Sequence, residues 1–147
     1  MALGCKGNNS GVDLSMGQIP GRVFYHGIII KQSQKDKSIF IRMKIIGKKN
    51  FLGGIITLYK VEVNPSDLEY IISSLQSNMA THFFFRKMEF YAHFYREQEL
   101  IAVFKQKIFR MTPCLDSWDE AIMYGREIGI KPEQLDFKPC RVEDETY

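Results

Sequence analysis

Apolar and polar positions along the chain mark out a short series of strands and helices. Val23 to Lys31 is an apolar run carrying Ile28, Ile29 and Ile30, and predicts a first strand. The polar stretch Gln32 to Lys37 predicts a loop. From Ser38 to Ile46, Ile39, Ile41, Met43 and Ile45 alternate with Arg42 and Lys44, the twofold period of a strand with one apolar face. Gly47-Lys48-Lys49-Asn50 then predicts the turn into a third strand, Phe51 to Val63. Gly53-Gly54 inside that strand suggests a bulge or a close backbone approach. The first helix is signalled at its start by Asn64 as cap, Pro65 in the first turn and Asp67 near the positive end of the dipole. Leu68, Ile71, Ile72 and Leu75 give it one apolar stripe.

A hairpin follows. Met88, Phe90, Ala92 and Phe94 share one face of a strand over Lys87 to Arg96, and Glu89, Tyr91, His93 and Tyr95 share the other. Arg96-Glu97-Gln98-Glu99 is the turn, and Leu100 to Met111 the returning strand. An odd-length loop aligns the phenylalanine face with Ala102, Phe104 and Ile108, and sets Glu89 opposite Lys107, a favourable cross-strand pair. A slip of one residue would reverse every side chain, so the odd register is the one expected. Ser117-Trp118-Asp119-Glu120 matches a capping box and opens a second helix with Trp118, Ala121, Ile122 and Gly125 on its inner stripe; Gly129 ends it. Lys131 to Leu135 reads as a short turn, with Leu135 and Phe137 pinning the C-terminal segment to the body.

The order is therefore β-β-β-α-β-β-α. The expected fold is α+β, a mainly antiparallel five-stranded sheet with the helices packed on one face. Residues 1–20, rich in glycine, read as a flexible arm; 21–139 form a single α+β domain and 140–147 a charged tail. The two halves share a hairpin-then-helix pattern without a residue repeat.

Composition changes little in this picture. Of 147 residues, 45% are apolar and 25% charged, ordinary values for a globular domain that buries a core without metal or disulfide. No segment approaches the roughly 18–20 apolar residues needed to span a bilayer, so no membrane partner is expected. Cys5, Cys114 and Cys140 are an odd number at spacings unrelated to metal sites; three reduced thiols in a cytoplasmic protein are the simplest account.

Charge is more informative. Residues 1–112 hold 16 Lys/Arg against 8 Asp/Glu, whereas residues 113–147 hold 4 against 9. Such a split suits either a polyanion-binding face or an acidic end docked on a basic body. Phosphate-cradling, dinucleotide-binding and nucleophile-elbow motifs are absent, and His26, His82 and His93 are too scattered to indicate a metal. Neither a metal nor another cofactor is expected.

Candidate chemistry gathers on the hairpin's outer row of Tyr91, His93 and Tyr95. An imidazole between two phenols can orient a ligand or move a proton; the same row also suits an edge or dimer surface. Lys105 and Lys107 join it from the returning strand, and Arg42 and Lys44 from the second. Aromatics interleaved with cations on a sheet are what single-stranded nucleic acid requires. In the odd register Ile101 and Val103 fall beside Tyr91 and Tyr95, leaving an apolar surface that a second copy of the chain would cover. The expected function is thus a non-enzymatic binding or assembly module, self-associating through the outer sheet face (Tyr91, Tyr95, Ile101, Val103). The alternatives are single-stranded RNA or DNA binding by the basic aromatic face, or a small-ligand or enzymatic site centred on His93.

Overall fold

The computed structural model describes residues 23–137; the N-terminal arm and the charged tail expected from the sequence lie outside them. The elements are β1 (Tyr25–Ile30), β2 (Lys44–Phe51), β3 (Ile56–Val63), α1 (Leu68–Asn78), β4 (His82–Phe83), β5 (Arg86–Lys87), β6 (Tyr91–Arg96), β7 (Glu99–Phe104), β8 (Ile108–Met111) and α2 (Asp119–Glu127). Six strands form one antiparallel sheet in the order β2-β3-β1-β6-β7-β8, and β4 pairs with β5 in a separate small hairpin. The α+β class and antiparallel sheet match the sequence reading, with six strands rather than five. The first half orders its strands 2-3-1 and the second is a plain meander, so the halves are not copies of one module.

Local rules account for α1. The Asn64 Oδ1 accepts from the Ser66 amide at 3.0 Å, Pro65 opens a single 3-10 turn, and the helix runs on from Leu68. Its stripe Leu68, Ile71, Ile72 and Leu75 is buried against Ile29, Val61, Phe94, Ile101 and Val103. Phe94 lies across from Gly27 in the β1–β6 pair. A Cβ at Gly27 would come 2.4 Å from the Phe94 Cδ1, so only glycine leaves room for the ring.

The other face of β6–β7 is a second core. Tyr95, Leu100, Ala102 and Phe104 pack there with Trp118 and Ala121 around α2, and with Ile130, Leu135 and Phe137 beyond it. The helices therefore cover opposite faces of the sheet, which corrects the expected single helical layer. The cause is register. The β6–β7 turn has two residues, Glu97 and Gln98, with Glu97 at φ 52°, and it pairs Phe94 with Ile101 and Ala92 with Val103. The odd register, and with it the Glu89–Lys107 pair, is not formed. Ile101 and Val103 consequently lie on the α1 face, opposite Tyr91 and Tyr95, and all four sit in the two cores or at their margin.

Three further boundaries differ. Lys37–Arg42 is a 3-10 helix rather than a strand; Asp36 caps it by accepting from the Ser38 amide, and adjacent Ile39 and Phe40 are buried while Ile41 is exposed. The second strand runs through Gly47–Asn50, with an irregularity between Ile45 and Gly47. Its turn comes instead at Leu52–Gly54, where three successive residues have positive φ. Ser117 does not cap α2, since its hydroxyl is engaged with Thr112 and Cys114. No helix among the described residues is long and apolar enough to cross a membrane.

Candidate functional site

The row Tyr91, His93 and Tyr95 keeps the common face that alternation assigned to it, but the face is closed. Gly129 at φ 104° ends α2 and turns the chain back so that Leu135 and Phe137 are buried over the row. Gly125 makes room for this, because a Cβ there would lie 2.5 Å from the Leu135 Cδ2. The Phe137 ring stands edge-on to Tyr91, His93 and Trp118, with centroids 5.2, 6.2 and 5.6 Å away. The Tyr91 hydroxyl donates to the Gln134 carbonyl at 2.6 Å and accepts from the Asp136 amide at 3.2 Å. Burial pushes the Tyr91 phenol up to about 12, opposed by its hydrogen bond with the Asp136 backbone.

His93 is 6% exposed, and its Nε2 has no hydrogen-bond partner among the described residues. Burial pushes the imidazole down to about 4, partly opposed by the Asp136 carboxylate. With His93 buried beneath Phe137 and Tyr95 in the second core, the row packs inside the chain rather than forming an open binding surface. The depressed value has a thermodynamic consequence. Between the unfolded imidazole near 6.5 and the folded one near 4, the unfolded chain binds more protons, and stability falls as pH drops through that window. The expected loss between pH 7 and pH 4.5 is about 2 kcal/mol. Urea melts at pH 7 and pH 4.5 check it: His93→Leu is expected to abolish this part of the acid loss, and an equal loss in both proteins would contradict the burial.

The four predicted cations do not form one surface. Lys105 and Lys107 flank the β7–β8 turn, where the Lys105 Nζ donates to the Met79 carbonyl at 2.8 Å and closes the end of α1. Arg42 and Lys44 stand at the far end of the sheet, Arg42 over the Tyr70 ring and Lys44 across from Glu62.

Strand direction instead gathers a different set. Ile30 at the end of β1 pairs with Leu58 near the start of β3, and Tyr91 at the start of β6 pairs with Phe104 at the end of β7. The β2–β3 turn, the loop after β1, the β4–β5 hairpin and the β7–β8 turn therefore all leave the sheet at one end. They bring Lys48, Lys49, Arg86, Lys87, Lys105 and Lys107 there, joined by Lys35 and Lys37 beside the end of α1. Among the described residues, the carboxylates at this end are Asp36, Glu89 and Glu127 at the end of α2, with Glu133 and Asp136 on the segment over Tyr91. The opposite end carries Glu97 and Glu99, Asp67 and Glu69, and Asp116, Asp119 and Glu120. Of the cations at that end, Arg96 pairs with Glu99 and Arg110 with Glu69, each at 2.8 Å, while Arg42 lies over the Tyr70 ring and Lys44 faces Glu62.

Two turns at the basic end also expose apolar side chains. In the β4–β5 turn Phe84 is 72% and Phe85 100% exposed, and in the β2–β3 turn Leu52 is 67% exposed, with Phe51 and Ile55 beside it. None of these residues was singled out from sequence. The signal available was Phe83-Phe84-Phe85 directly before Arg86-Lys87, too short a run to register as an element.

Cys114 is disulfide-bonded, which corrects the expectation of three reduced thiols and removes the cysteine argument for a reducing compartment. Sequence spacing carries no information on which sulfurs meet in space. Cys5 and Cys140, the chain's other cysteines, lie outside the described residues. Among the described residues no group of three or more His, Cys, Asp or Glu side chains is placed to hold a metal ion. No family model, curated protein or solved structure matches the chain.

Proposed function

We propose that this protein is a non-enzymatic binding module whose working surface is the basic end of its sheet and whose partner is polyanionic. The observation that carries the reading is the separation of charge along the strand axis: three separate connections and the second half of β2 deliver cations to one end, while the opposite end carries mostly carboxylates. A concentrated positive end raises the local concentration of an anionic partner and orients its approach. Self-association through Tyr91, Tyr95, Ile101 and Val103 loses its basis, because those side chains pack within the chain's own cores. A ligand site at His93 loses its basis in the same way.

Retention on immobilised heparin tests the proposal. Removing Lys48, Lys87 and Lys107 together by substitution with Gln is expected to shift elution to markedly lower salt. It should also flatten the dependence of log affinity on log salt by roughly 2. All three side chains are exposed, so the fold is not at stake. The control pair Arg42→Gln and Lys44→Gln, at the other end, is expected to elute like the parent. Equal retention of the triple variant and the parent would refute the assignment of the basic end.

A further inference from the structure

We infer that the polyanionic partner is the surface of an anionic membrane, into which the β4–β5 and β2–β3 turns insert their apolar tips. The inference rests on the basic end being the working surface and names what it meets. The carrying observation is the combination of exposed apolar tips, Phe85 entirely so, with a cationic collar at the same end of the six-stranded sheet.

The β4–β5 turn is built to hold its side chains away from the body. His82 pairs with Lys87 and Phe83 with Arg86, while Phe84 takes a left-handed φ of 59° to close the turn. At the root of the hairpin the Met88 amide donates to the Thr81 carbonyl at 2.9 Å, and Ala80 and Met79 are tied to the loop after β1. A non-glycine residue at positive φ costs conformational energy, and here it presents two phenylalanines to solvent. Phe84 touches Phe83, with ring centroids 4.6 Å apart, and Phe85 is entirely exposed. The β2–β3 turn repeats the arrangement with different residues: Leu52 at φ 53°, followed by Gly53 and Gly54, lifts Leu52 and Ile55 outward behind Lys48 and Lys49. The β4–β5 hairpin leads into β6, which stands two places from β3 in the sheet order.

Chemistry separates a bilayer from nucleic acid as the occupant. Bases are bound by ring faces, and two of the exposed apolar residues, Leu52 and Ile55, have none. An interfacial site uses aromatic and aliphatic side chains alike, sunk at the headgroup–acyl boundary, with Lys and Arg above them against anionic headgroups. The lack of a membrane-crossing helix among the described residues bears on spanning and not on docking at the surface.

Vesicle cosedimentation decides the question, using phosphatidylcholine with phosphatidylserine in about a three-to-one ratio, and phosphatidylcholine alone. The full chain is expected to sediment with the mixed vesicles and to remain soluble with the neutral ones. Phe85→Ala, at a side chain that touches nothing, is expected to lower partitioning about tenfold, and Phe84→Ala with Phe85→Ala further, both keeping the parent's heparin retention. Three results would overturn the inference. One is unchanged partitioning of the double variant. The second is retention on heparin and binding to a single-stranded oligonucleotide without binding to mixed vesicles, which would leave the polyanion reading intact and make the partner nucleic acid. The third is binding to neither heparin nor vesicles, which would remove both readings together.

Discussion

Replacing Phe137 with Ala is expected to lower stability by about 3–5 kcal/mol and to raise the His93 pKa from about 4 towards the ordinary histidine value. Phe137 is fully buried and its ring meets Tyr91, His93 and Trp118, so truncation both opens a cavity in the second core and lets water reach the imidazole. The two effects have separate readouts, a urea melt and an NMR titration of the His93 ring. A loss under about 1 kcal/mol with His93 still titrating near 4 would mean that the segment after α2 contributes little as a cover.

Phe94→Ala is expected to cost a similar amount, about 3–5 kcal/mol, through the first core. Phe94 is fully buried between Gly27 and the α1 face. Gly27→Ala should cost about 1–3 kcal/mol on its own, since the new Cβ would lie 2.4 Å from the Phe94 ring in the present packing. The combination is diagnostic: with the ring gone the alanine methyl has space, so the double variant should be more stable than the sum of the single losses requires. Strict additivity in denaturant melts would place Phe94 elsewhere than against Gly27.

Much of the first half of the fold was legible because its signals are local. Asn64, Pro65 and the Leu68/Ile71/Ile72/Leu75 stripe define α1 without reference to the rest of the chain. Ser38 to Ile46 misled because Ile39, Ile41 and Met43 alternate as a strand would, whereas burial of the neighbours Ile39 and Phe40 belongs to a 3-10 turn. The second core was hidden by an assumption that one face of the hairpin meets solvent. Leu100-Ile101-Ala102-Val103-Phe104 is a continuous apolar run, the pattern of a strand buried on both sides, and read that way it calls for cover on each face. With both faces apolar, register rests on the turn alone, and Glu97 in a left-handed conformation is not announced by its residue type.

The candidate site was the least legible part. The sequence shows a basic stretch followed by an acidic one, yet folding sorts charge by the ends of strands rather than by halves of the chain. Lys48, Lys87 and Lys107 are far apart in sequence and share one end only because β2, the β4–β5 hairpin and β7 all turn at that end. Arg42 and Lys44, grouped with Lys105 and Lys107 by strand alternation, are separated from them by the length of the sheet.

The most direct measurement is an amide NMR titration of the full chain with a short heparin fragment. The largest shift changes are expected at residues 48–55, 82–88 and 105–107, shrinking as salt is raised. Changes centred instead on residues 96–99 or 116–120, at the opposite end of the sheet, or an unchanged spectrum at low salt, would contradict the basic end as the working surface.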